Sequence, residues 1–181
     1  VSTGHVYNIK EELLNREWAH FDNMGLKLNE PESLLQEWCK EYQTEDKPCF
    51  SFYSLLAPSE FEGHLKIACN DLKVRYALSG LAGAFRLAPF VRYHRVAFYL
   101  EDKVNALVKK MDLKSVTSGE NVTIITPLDD GVFYDLRHIG EMRVVSPIQL
   151  YLDLNVLGDR GKEAADYVFK GVIEPQWEKK K

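Results

Sequence analysis

One stretch limits the possible folds more than any other. It runs Val144-Val145-Ser146-Pro147-Ile148-Gln149-Leu150-Tyr151-Leu152-Asp153-Leu154, followed closely by Gly158-Asp159-Arg160-Gly161-Lys162-Glu163-Ala164-Ala165. It reads as the end of a strand, a capped helix, a short turn and a second helix. Ser146 can cap the first helix through its hydroxyl, and Pro147 suits the first helical position, where no amide hydrogen is needed. Ser146, Gln149 and Asp153 then fall along one polar stripe, while Ile148, Tyr151 and Leu152 make an apolar face. Gly161, Ala164 and Ala165 are small enough to let the second helix approach its neighbour. The stretch is a helical hairpin that closes a domain, and by itself it carries no chemistry.

The preceding sequence interleaves strand and helix patterns. Residues 3–17 carry Val6, Ile9, Leu13 and Leu14 at helical spacing, followed by a turn at Asp22-Asn23-Met24-Gly25 between two short apolar runs. A helix followed by a small hairpin is how the recognition helix and wing of a winged helix-turn-helix read. The two helices that precede a recognition helix in such a module are not in this chain, so residues 1–30 are expected to be a partial module, the competing reading being that the helix and hairpin are only an edge of the main domain. Residues 32–43 predict a second helix behind Pro31, residues 50–55 a strand, and a helix opens at Pro58-Ser59-Glu60. The Ala, Gly and Leu of residues 75–87 predict a buried helix ending before Pro89. Residues 92–100 predict a strand, 104–111 a helix and 121–126 a β-branched strand. Residues 132–139 and 142–145 predict a hairpin across Gly140-Glu141. The expected fold is α/β (α+β), with a mixed or mainly antiparallel sheet flanked by helices over residues 31–181.

Charge is unevenly spread. The chain of 181 residues has a formal charge of −4, yet residues 72–100 contain none of its 27 acids and five of its 23 basic residues. Those five are Lys73, Arg75, Arg86, Arg92 and Arg95, interleaved with Tyr76, Phe85, Phe90, Tyr93, Phe98 and Tyr99. The pattern suits phosphate and stacking contacts, or an acidic protein face, if the arginines share a surface. The competing reading puts the aromatic residues in the core and pairs the arginines with acids elsewhere.

Other chemistry is poorly supported. Asp129, Asp130 and Asp135 sit around a turn, with Arg137 following, and such a set could hold magnesium for a nuclease. Arg stands where such enzymes use Lys, no flanking Glu completes the set, and turn chemistry explains Asp129-Asp130-Gly131 without a metal. Ser79-Gly80 and Gly83 lack the lysine of a phosphate loop. The five histidines are scattered, and none stands beside a convincing nucleophile. Cys39, Cys49 and Cys69 lack paired metal-ligand spacing, which favours a reducing cytoplasm. No apolar run is long enough to cross a membrane. No cofactor, metal or catalytic set is implied.

The strings VVSPIQLYLDL and GDRGKEAADYV are similar to the C-terminal signature of AbiE-type abortive-infection antitoxins, a family of type IV toxin–antitoxin transcriptional regulators. NEPESLLQEWCKEY, FYSLLAPSEFE, YALSGLAGAFRLAPFVRY and SGENVTIITPLDDGVFYD agree in the same order, so the resemblance spans nearly the whole chain. It implies a regulator rather than an enzyme, opposing a nucleotidyltransferase-like toxin through its C-terminal domain. It also implies operator DNA binding through a winged helix, here by His5, Asn8 and Lys10. Ser146, Pro147, Gln149, Tyr151, Asp153, Arg160, Gly161 and Glu163 are its signature positions, read as structural. Residues 1–28 set Lys10, Arg16 and Lys27 against Glu11, Glu12, Glu17 and Asp22, so duplex binding by this chain is expected to be weak. The stripe of Val6, Ile9, Leu13 and Leu14 is expected to dock on the main domain or on a second copy, giving a homodimer. Two other readings remain, a stand-alone nucleic-acid-binding module using residues 72–100 and a magnesium-dependent nuclease.

Overall fold

The computed structural model describes residues 2–42, 47–89 and 92–178. The chain divides into two units, Val1–Gln43 and Thr44–Lys181.

The first unit holds helix α1 (Thr3–Asn15), a hairpin of β1 (Ala19–Asp22) and β2 (Gly25–Leu28), and helix α2 (Pro31–Glu41). Ser2 caps α1 by accepting from the amide of His5, and Pro31 opens α2. Asp22 closes the hairpin turn by accepting from the amide of Met24 at 2.7 Å, and Gly25 takes φ 121°, a conformation that favours glycine. The unit continues past the boundary expected at residue 30. Leu35 of α2 is buried, and Arg16 reaches Glu37 of α2 at 3.7 Å, so α2 belongs with the hairpin. No residue of α1 is fully buried: Val6 and Ile9 are about half exposed, whereas Leu13 and Leu14 are partly buried.

The second unit is built on a seven-stranded mixed sheet of β3 (Cys49–Tyr53), β4 (Tyr76–Ser79), β5 (Val96–Leu100), β6 (Lys114–Ser115), β7 (Val122–Ile125), β8 (Arg137–Ile139) and β9 (Met142–Val144). Their order is β6-β3-β7-β5-β4-β9-β8. The β5–β7 and β4–β9 pairs are parallel and the others antiparallel. The helices are α3 (Pro58–Leu72), α4 (Gly80–Leu87), α5 (Val104–Lys110), α6 (Pro147–Asn155) and α7 (Asp159–Val168). A π-helical turn at Phe169–Ile173 leads into α8 (Glu174–Glu178). This is the mixed α/β architecture that the alternation of elements implies.

Alternation along the strands sorts the two faces of the sheet. Tyr76 and Leu78, Val96, Phe98 and Leu100, and Val122 and Ile124 join Phe61, Leu65 and Cys69 of α3 and Leu107 of α5 in one apolar core. Ala77, Ser79 and Tyr99 point the other way, where α4, α6 and α7 pack together.

Two expected elements differ. Residues 75–87 are not one helix, because the first part forms the central strand β4 and only the remainder is helical. Tyr76-Ala77-Leu78-Ser79 is buried on both faces, so it lacks the alternation that marks a half-exposed strand, and Gly80 at φ 55° turns the chain into α4. Residues 132–139 are not one strand either. Asp129 accepts from the amide of Gly131 and sets a 3-10 turn at Asp130–Phe133, so pairing begins only at Arg137.

Candidate functional site

Helix α6 begins as its sequence dictates. The Ser146 hydroxyl accepts from the amide of Gln149 at 3.1 Å, and Pro147 occupies the first turn. The polar stripe beyond this cap points into the protein. Asp153 is buried, and the Gln149 side-chain amide one turn earlier donates to its Oδ1 at 2.9 Å. The Tyr99 hydroxyl on β5 donates to the same oxygen at 2.9 Å, and the fully buried Ser79 hydroxyl at the end of β4 donates to Oδ2 at 2.6 Å. Lys47, just before β3, donates to the Tyr99 oxygen at 3.1 Å and stands 3.9 Å from Asp153 Oδ1.

A buried carboxylate is tolerated only when hydrogen-bonded and compensated by charge, and this one is both. Beside it lies a cavity of about 100 Å³, with Gly80, Ala97, Val156 and Leu157 among its walls. The arrangement ties β4, β5 and the segment just before β3 to α6. It provides no nucleophile with a general base, since the acid beside Ser79 is fully engaged in holding the fold.

Gly161 and Tyr151 of the same stretch sit in packing contacts. Gly161 lies where α7 crosses the end of α6, so close that a Cβ would stand 2.2 Å from the Leu154 carbonyl oxygen. Tyr151 packs on Phe169, which in turn meets Trp177 edge to face. Arg160 and Glu163 lie on the exposed side of α7, and Arg160 donates to the carbonyl of Arg92 at 2.5 Å.

Three of the four arginines of the acid-free segment are each paired with carboxylates from elsewhere. Arg75 binds Glu101 at 2.6 Å and Asp130, and stacks over Phe133 with 4.6 Å between guanidinium and ring centre. Hydrogen bonding from Arg75 holds the Glu101 carboxyl below the usual carboxylate range. Arg86 pairs with Glu62, a fully buried acid of α3, at 2.5 Å, and the Tyr93 hydroxyl donates to the other Glu62 oxygen at 2.6 Å. Burial and that bond to Glu62 push the Tyr93 phenol up to about 12. Arg95 pairs with Glu120 at 2.8 Å. The segment is positive in sequence and largely compensated in space.

The carboxylates near residue 130 are also engaged. Asp129 caps its own turn, Asp130 pairs with Arg75, and Asp135 pairs with Arg137 at 2.9 Å. Among the described residues, no group of three or more His, Cys, Asp or Glu side chains converges as a metal would require. On α1, His5 and Asn8 are exposed, whereas Lys10 pairs with Glu11 at 3.4 Å and lies over the rings of Tyr7 and Phe21.

Lys47 and Glu62 are not singled out by the sequence, and Ser79 and Tyr99 stand out there only as a possible phosphate-loop position and a possible stacking aromatic. The one available signal is Gln149 four residues before Asp153 on a helix that is otherwise apolar.

No curated protein and no solved structure matches the chain. A family model described as transcriptional regulator, AbiEi antitoxin, type IV TA system matches residues 27–174. The match runs from β2 to the first residue of α8 and takes in the Asp153 network, the paired arginines and the α6–α7 hairpin. On that footing the chain belongs to the AbiEi antitoxin family of type IV toxin–antitoxin transcriptional regulators.

Proposed function

We propose that the chain opposes a nucleotidyltransferase-like toxin through its second unit and contacts operator DNA, weakly, through its first. The observation that carries this reading is the family match over residues 27–174. The order of α1, β1 and β2 supports the DNA role, since a recognition helix followed by a two-stranded wing runs in that order. His5 and Asn8 are the side chains offered to bases, with Lys10 beside them. A regulator acting on DNA and on a toxin works in the cytoplasm. No helix among the described residues is long and apolar enough to cross a membrane.

Co-expression with a nucleotidyltransferase-like toxin, sought in the reading frame next to this one, tests the antitoxin role. Growth arrest caused by that enzyme should be relieved by the intact chain, and arrest that continues despite folded protein at equal abundance would reject the reading.

The DNA role is read by fluorescence anisotropy with duplex from the chain's own promoter. Binding is expected to be weak and salt-sensitive, because the first unit carries eight acidic residues against four basic ones. With Arg75, Arg86 and Arg95 paired, Arg92→Ala is expected to lower residual binding more than Arg86→Ala does. Tight binding that survives Arg92→Ala and is lost in His5→Ala or Lys10→Ala would move the contact wholly to α1.

We also expect no magnesium-dependent cleavage of DNA or RNA by the purified chain, because Asp129, Asp130 and Asp135 are each committed to a turn or an ion pair. Cleavage abolished by Asp130→Ala or Asp135→Ala would establish the nuclease instead.

A further inference from the structure

The cavity beside Asp153 lies between the sheet and the end of α6. Its volume is about 100 Å³, in a kind of interior whose gaps seldom exceed one water molecule. Two residues keep it open. Ala97 is the one small side chain in Val96-Ala97-Phe98-Tyr99-Leu100, and alternation turns it to the same face as Tyr99. Gly80 takes φ 55°, which disfavours any larger residue, and a Cβ there would lie 3.4 Å from the Ala97 Cβ and 3.6 Å from the Leu157 Cδ1. Ile125, Val156 and Leu157 complete the apolar wall. Val156 and Leu157 are 39 % and 53 % exposed, so the cavity meets solvent at the turn after α6. At its inner end stand Ser79, Tyr99, Asp153 and Lys47, already joined by hydrogen bonds.

We propose that this cavity binds a small neutral molecule, with a short aliphatic body of about four or five carbons and a single uncharged polar head such as a hydroxyl. Size sets the first limit. At the packing density of an interior, about 100 Å³ admits about five or six non-hydrogen atoms. The apolar wall sets the second, since most of the visitor has to be hydrocarbon to replace water against it. Charge sets the third. The Lys47 ammonium stands 3.9 Å from the Asp153 carboxylate, so the two balance each other. A charged visitor would give up its hydration and find no net charge to receive it. A hydroxyl both donates and accepts, so it can join the inner hydrogen bonds without upsetting that balance. The proposal stands apart from the antitoxin reading, because it rests on the cavity alone.

The test titrates the intact, isotope-labelled chain with isopentyl alcohol, isopentylammonium and isovalerate, followed by heteronuclear NMR. The three share one body and differ in the head. The alcohol is expected to saturate below about 10 mM, with shifts centred on Gly80, Ala97 and Leu157. Both ions should bind at least about fivefold more weakly. Ala97→Leu fills the space and should abolish the shifts while leaving the circular dichroism of the chain unchanged. Leu157→Ala, at an exposed position, widens the mouth and leaves the inner hydrogen bonds in place. Cyclohexylmethanol should bind the unchanged chain at least about fivefold more weakly than isopentyl alcohol, and Leu157→Ala to within about twofold of it. Scattered or unsaturable shifts with the alcohol, equal affinity for the ions, binding that survives in folded Ala97→Leu, or an unchanged size preference in Leu157→Ala would each overturn the proposal.

Discussion

Gly161→Ala is expected to lower stability by about 3 kcal/mol or more, as overpacking without room to relax does. The new methyl group would stand 2.2 Å from the Leu154 carbonyl oxygen and 2.6 Å from the Leu157 Cβ. Neither is the tip of a flexible side chain, so α7 has to move away from α6. That movement opens the contact made by Ala164, Ala165 and Leu154, all buried. A domain is stable by only about 5–15 kcal/mol, so this single methyl group removes a large share. Urea unfolding should show a lower midpoint with an unchanged slope. Gly171→Ala is the control, since nothing lies within 4 Å of its added carbon. Equal midpoints for the two variants would show that α7 does not pack as described.

Asp153→Ala is expected to cost about 3–5 kcal/mol, the range for removing one partner of a buried charged pair. The change removes the acceptor of the Ser79 and Tyr99 hydroxyls and the carboxylate 3.9 Å from the Lys47 ammonium. Ser79→Ala removes only one donor, so it should cost about 1–2 kcal/mol. Combining Lys47→Met with Asp153→Leu should recover part of the loss, because apolar groups of similar size then replace both the carboxylate and the ammonium beside it. Thermal unfolding of the two single variants and the double variant measures the coupling directly. Additive losses would mean that the ammonium and the carboxylate do not act as a unit.

Local signals in the sequence determine several elements directly. The cap at Ser146, the proline at the head of α6, the small residues of α7 and the hairpin turn at Asp22 each act over a few residues, where spacing and side-chain type decide the outcome. Strand β4 was hidden because its four residues are buried on both faces. A continuous apolar run leading into a helix carries the same pattern as the helix itself.

The site was less legible for a related reason. Ser79 and Tyr99 lie far from Asp153 in sequence and meet it only when β4, β5 and α6 are stacked. Glu62 looks like an ordinary helix acid, and only the fold shows that Arg86 and Tyr93 make its burial tolerable. The cluster of positive charge at residues 72–100 was visible at once, but its compensation by Glu101, Asp130, Glu62 and Glu120 was not.

The strand order has a consequence for how the protein is made. β3, the first strand of its unit, finds its central partner in β7, and β4 pairs with β9. A nascent chain that has just produced β3 and β4 has neither β7 nor β9 yet to pair with. Pairing across such separations is slow to begin, and apolar strands waiting for partners are open to aggregation and proteolysis. Helices α6 and α7, which cover one face of the sheet, leave the ribosome after every strand. The second unit is therefore most vulnerable during synthesis, and its lifetime in the cell depends on how soon its C-terminal hairpin closes over the sheet.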